Sequence, residues 1–101
     1  GGPWWAVPLL LAMLCVATGC RPAPQVPAAN LVYSAAIRTA ANTRSPDRLR
    51  AAGQRIDRDH AAGLIGPEEY AAYGAILRTA EAGQWKEAEQ AAIRFRRDQL
   101  R

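Results

Sequence analysis

His60 is the single histidine of the chain, and Asp57 stands three residues before it with Asp59 adjacent. Residues three apart share a helix face, so the Asp57 carboxylate could orient the imidazole, which is the first half of an acid–base pair. The same histidine, however, continues the stripe Leu49, Ala52, Gly53 and Ile56 at spacings of three and four. There it reads as a boundary residue near a helix C-terminus. Glu68 and Glu69 form a second acidic pair, but they follow Gly66 and Pro67, where carboxylates favour the positive end of a new helix. Neither pair is expected to be catalytic. Beyond Cys20 there is no cysteine, and His60 has no histidine partner, so the set needed for a zinc site is missing there. The expectation is a protein that is not an enzyme and carries no metal, cofactor or small-molecule substrate.

Charge offers a different chemistry. The formal net charge is +4, with twelve arginines against one lysine. The last nine residues, "IRFRRDQLR", concentrate Arg94, Arg96, Arg97 and Arg101. Such a cluster could contact phospholipid heads or another anionic polymer, although helical spacing spreads it over the solvent side with Phe95 turned toward the core.

The two cysteines, Cys15 and Cys20, lie within or at the edge of an uncharged run from Trp4 to Gly19. A disulfide framework for residues 21–101 is therefore excluded. The run is about 16 residues and contains Pro8, short for a spanning helix of ~20 apolar residues and suited to the core of a secretory signal. It ends in small residues, "ATGC" at 17–20. This resembles the lipobox of bacterial lipoprotein precursors. The resemblance implies that Cys20 is alkylated by a diacylglycerol and becomes the first residue after cleavage, leaving residues 1–19 as signal. Two or more acyl chains hold a protein firmly at a membrane, where one does so only reversibly. A signal of this kind opens with methionine and positive charge, whereas this chain opens "GGPWW", so a truncated start is expected. Arg21 follows the cysteine where an aspartate would favour inner-membrane retention. The expected location is thus the bacterial envelope, on the periplasmic side of the outer membrane, where nucleic acid is not an expected partner.

These groups must be positioned by the remainder. "RPAPQVPAA", 21–29, has three prolines, so residues 20–29 read as the lipidated cysteine and an extended tether. Residues 30–101 read as an all-α domain of about four helices, an up-and-down bundle or two hairpins. Asn30 is expected to cap a first helix to about residue 44, with Leu31, Val32, Ala35, Ala36, Ile37, Ala40 and Ala41 as its apolar side. "SPD" at 45–47 opens a second helix that stops at Gly63; "GPEE" at 66–69 opens a third that has Tyr70, Tyr73, Leu77 and Ala80 on one side and stops at Gly83. Trp85, Ala88, Ala92 and Phe95, flanked by Ile93 and Leu100, make the inner face of a fourth.

Two stretches carry further resemblances. "GLIGPEEYAAYGAIL", 63–77, resembles a SHOCT-type short helical domain through Gly63, Ile65, Glu69, Tyr70, Ile76 and Leu77, with Ala72, Tyr73 and Gly74 where a lysine is usual. "EAGQWKEAEQAA", 81–92, is similar to the turn of a tetratricopeptide helix pair through Gly83, Trp85, Glu87 and Ala88; Ile76 and Phe95 replace the small residues of that repeat. Both imply a helical interaction module. The expected function is a membrane-anchored envelope lipoprotein that binds a protein partner or plays a structural part, with Tyr70, Tyr73 and Trp85 on the contact surface. The alternative is binding of an anionic lipid or polymer by the arginines of the last helix.

Overall fold

Proline fixes φ near the helical value and lacks an amide donor, so it fits the first helical turn, where that donor has no partner. The computed structural model describes residues 23–100, and there Pro46 and Pro67 each open a helix. The order is a short 3-10 turn, Ala28–Asn30, then α1 Leu31–Asn42, α2 Pro46–Ala61, α3 Pro67–Glu81 and α4 Trp85–Gln99. Ser45 caps α2, its hydroxyl accepting from the Arg48 amide at 3.1 Å, and Asp47 occupies the first turn.

Three helices end in one device. The chain turns left-handed and two backbone amides reach back over the last turn. Gly63 and Gly83 take φ of 83° and 84° after α2 and α3. After α2, Leu64 N–H donates to Asp59 O at 2.9 Å and Gly63 N–H to His60 O at 3.0 Å. The α1 end repeats the pattern with Arg44 at φ 49°, while Ser45 N–H donates to Ala40 O. A side chain at such an angle is strained, and the helix closes at Asn42, two residues before the stop expected at about residue 44.

The helices form an all-α bundle, and among the described residues there is no strand. Contacts fix their directions. Tyr33, early in α1, meets Asp59, late in α2; Tyr70, early in α3, meets Asp57 of α2. Asn42 at the end of α1 donates to Glu89 near the start of α4. Successive helices therefore run antiparallel, and α4 returns along α1, which makes its most extensive contact there. This is the up-and-down arrangement rather than two independent hairpins.

The core comprises Tyr33, Ile37, Leu49, Ile56, Ile65, Tyr73, Ile76, Leu77 and Phe95 among buried alanines. The inner face of α1 differs from the expected one. Val32 and Ala35 face solvent, and Tyr33 and Ser34 turn inward. The face that repeats at three and four residues runs 30, 33, 34, 37, 41 and is completed by a serine whose hydroxyl donates to Leu31 O at 3.1 Å, so it is buried without an orphaned polar group. Leu100, expected on the inner face of α4, is instead 66% exposed.

Residues 23–29, expected as part of a tether, lie against the bundle. Ala23 and Val26 pack on the core. Gln99, in the last turn of α4, holds them with both ends of its amide: Oε1 accepts from Val26 N–H at 2.9 Å, and Nε2 donates to Pro24 O at 2.8 Å. Gln25 adds a bond from Nε2 to Asp98 O.

Candidate functional site

Three tyrosines gather at the end of the bundle where the chain enters, and each gives its phenol proton to a different carboxylate. Tyr73 is the innermost, with no exposed surface. Its hydroxyl donates to Glu69 Oε2 at 2.6 Å, one helical turn earlier on α3. Asn30 Nδ2 donates to the same oxygen at 2.9 Å and to Leu64 O at 3.0 Å. Asn30 thus does not cap α1 with its side chain; it ties the α1 entry to the α2–α3 turn and to Glu69. A buried carboxylate is costly unless hydrogen-bonded, and here two donors satisfy it from two elements. Burial first, and the bond to Glu69 second, push the Tyr73 phenol far above its ordinary range.

Tyr33 OH donates to Asp59 Oδ2 at 2.7 Å, with the Arg55 guanidinium 5.7 Å from its ring centre. That hydrogen bond, then burial, raises the phenol's pKa. Tyr70 OH donates to Asp57 Oδ1 at 2.7 Å, which likewise raises it. Tyr33 and Phe95 flank Tyr73 with ring centres at 5.6 and 5.3 Å, both tilted. His60 stacks flat on Tyr70, centres 3.9 Å apart and planes within 6°.

In this arrangement the two carboxylates near His60 in sequence have tyrosine partners. Asp57 is engaged by the Tyr70 phenol, Asp59 by Tyr33, and the imidazole covers a phenol ring. Glu68 is exposed whereas Glu69 is buried, so the two do not face each other as a pair. Among the described residues, no three His, Cys, Asp or Glu side chains converge as metal ligands.

No family model, curated protein or solved structure matches the chain. The residues' own placement therefore carries the functional reading.

Of the expected contact residues, Tyr73 is corrected: with no exposed surface it is a core residue and offers nothing to a partner. Tyr70 is half-buried under His60. Trp85, also half-buried, lines a groove of about 530 Å³ between α2 and the α3–α4 turn, with Leu49, Gly53, Ala80 and the charged Arg50 and Glu81. Tyr70 lines an adjoining hollow along α2 and α3 that shares Gly53, Asp57 and Glu81 with the Trp85 groove.

The arginines of α4 also separate. Arg94 lies beside Ala72 and Ile76 on the α3 side, and Arg97 Nε is 4.0 Å from Asp98 Oδ1. Arg96 faces α1, where it and Arg38 line a groove of about 310 Å³ with Ser34, Thr39 and Asn42. Cys20 and Arg101 lie outside the described residues, and no helix among the described residues is long and apolar enough to cross a membrane.

The sequence reading missed Glu69 as a buried acceptor, although the Glu69–Tyr73 spacing of four residues is a signal for it. It also missed Arg38 as the partner of Arg96, for which the sequence holds no local signal.

Proposed function

We propose that the chain is a bacterial envelope lipoprotein, anchored through an acylated Cys20, whose four-helix bundle serves as a protein-interaction or structural module. The observation that carries this reading is the small-residue stretch "ATGC" closing an uncharged apolar run, immediately before the polar chain that enters the bundle. A compact bundle with its polar groups tied to one another suits a module that presents surfaces. The Trp85 groove is the place for a partner's side chains, being mostly apolar with one cation and two anions, Asp57 and Glu81, at its rim.

Metabolic labelling with a radioactive fatty acid tests the anchor. Wild type is expected to incorporate label and Cys20→Ser to incorporate none. Equal labelling of the two chains refutes the proposal.

A second reading has one observation in its favour: Arg38 and Arg96 border the same groove, and neither has a salt-bridge partner among the described residues. Two guanidinium groups beside Thr39 and Asn42 suit a phosphate-bearing lipid head or polymer. Binding of phosphatidylglycerol vesicles by the Cys20→Ser chain is expected to weaken about tenfold in Arg38→Gln/Arg96→Gln and to fall steeply between low and physiological salt. Arg94→Gln/Arg97→Gln is the control; a loss as large there removes the groove from consideration.

A further inference from the structure

Docking of the strap 23–27 has a geometric consequence for any anchor on Cys20. Only residues 21 and 22 separate that cysteine from Ala23, and an extended chain spans at most ~3.6 Å per residue, so Cys20 lies within roughly 11 Å of Ala23. Ala23 packs on the core over the α3–α4 seam, sharing a hollow with Ala72, Ile76, Arg94 and Phe95, and the Gln99 clamp fixes the next residues at the last turn of α4. A long flexible tether would leave the bundle free to tumble. A short one, tied down at its inner end, presents one end of the bundle to the surface in which the lipid sits.

That end carries an unusual set of side chains. The described residues hold three exposed large hydrophobics, Val32 at 39%, Leu64 at 60% and Leu100 at 66%. All three lie here. Leu64 is in the α2–α3 turn, whose carbonyl accepts from Asn30; Val32 is two residues past Asn30 in the first turn of α1; Leu100 follows Gln99. The opposite end, formed by the α1–α2 and α3–α4 turns, exposes none. Scattered surface hydrophobics need no explanation, but their confinement to the end nearest a lipid anchor does. Charge does not account for it. Asp57, Asp59, Glu68, Glu69 and Asp98 offset the arginines of the same turns, so no cationic face is built there.

We propose that this end of the bundle, marked by Val32, Leu64 and Leu100, rests against the lipid bilayer, with the opposite turns directed away from it. The inference rests on the acylation of Cys20. The bound surface is apolar, so contact is expected with zwitterionic and anionic lipids alike. The bundle then stands upright on the membrane, and the Trp85 groove, beside the α3–α4 turn, faces away and stays open to a soluble partner.

The test uses the full chain isolated with its attached lipid and reconstituted into phosphatidylcholine vesicles. In a Trp85→Phe background, one tryptophan is introduced by Leu64→Trp, Leu100→Trp or Ala82→Trp, all at exposed positions, and bromine-labelled acyl chains serve as quencher. Quenching at positions 64 and 100 is expected to exceed that at 82 by about fivefold. Mass spectrometry of each sample reports whether diacylglycerol is present and residues 1–19 are gone. A chain without the lipid overturns the anchoring reading and this inference together. A lipid-bearing chain quenched equally at 64, 82 and 100, or at none of them, overturns the orientation alone and points to a second copy or another protein as the cover of this end.

Discussion

Ile37→Ala is expected to lower the free energy of unfolding by about 3 kcal/mol, a large part of the stability of a bundle this small. Ile37 has no exposed surface and lies on α1, the helix that packs against the other three. Around it the interior is built largely of alanines, with Ala40, Ala52, Ala80, Ala88 and Ala92 all at 5% exposure or less. Each buries little more than one methyl group, at ~0.8 kcal/mol per buried carbon. The large, fully buried apolar side chains are few, namely Tyr73, Ile37 and Ile56, so each carries an unusual share of the burial. Alanine faces also let helices approach closely, which leaves little freedom for neighbours to collapse into a void. Far-UV circular dichroism in urea measures the effect as a midpoint shift at unchanged slope. Val32→Ala, one turn away but 39% exposed, is expected to cost less than about 0.5 kcal/mol. Equal shifts for the two variants would mean that burial in α1 does not carry the stability.

The helices themselves were legible because their boundaries are written in residues with few alternatives. Ser45–Pro46–Asp47 and Gly66–Pro67 open helices, and Gly63 and Gly83 close them, each through a backbone requirement that does not depend on tertiary contact. The inner face of α1 was not legible. Ala35, Ala36, Ala40 and Ala41 satisfy either of two neighbouring faces, and the choice is made by Tyr33 and Ile37, which fit against Tyr73 and Phe95 from distant helices. The docked strap escaped for a related reason. Proline-rich composition dictates an extended backbone but not whether it is free, and the side chain that captures it, Gln99, is 75 residues from Pro24. The α1–α4 arginine pair is non-local in the same way. What local sequence could supply at the candidate site was the inventory of tyrosines and carboxylates; their pairing into three phenol–carboxylate bonds required the fold.

Those bonds give the molecule an alkaline limit. All three phenols have pKa values raised in the folded chain, Tyr73 by burial and Glu69, Tyr33 and Tyr70 by their bonds to Asp59 and Asp57. In the unfolded chain a tyrosine ionises near pH 10, while in the bundle it stays protonated. The folded state then binds more protons than the unfolded one, so stability is complete below about pH 10 and falls as pH rises above it. For Tyr73, which is wholly buried, the loss is ~1.4 kcal/mol per pH unit. Tyr73→Phe separates this contribution from the rest. It keeps the ring between Tyr33 and Phe95 but removes a donor to the Glu69 carboxylate, at a cost of roughly 1–3 kcal/mol at pH 7. It also removes the proton that the alkaline transition consumes. Urea midpoints for wild type and Tyr73→Phe are therefore expected to differ at pH 8 and to converge between pH 10 and 12, while absorbance at about 295 nm shows wild-type tyrosinate appearing together with unfolding. Parallel midpoint curves across that range would show that Tyr73 ionises without unfolding the bundle, and the Asn30–Glu69–Tyr73 cluster would then lose its place as the link that joins α1 to α3.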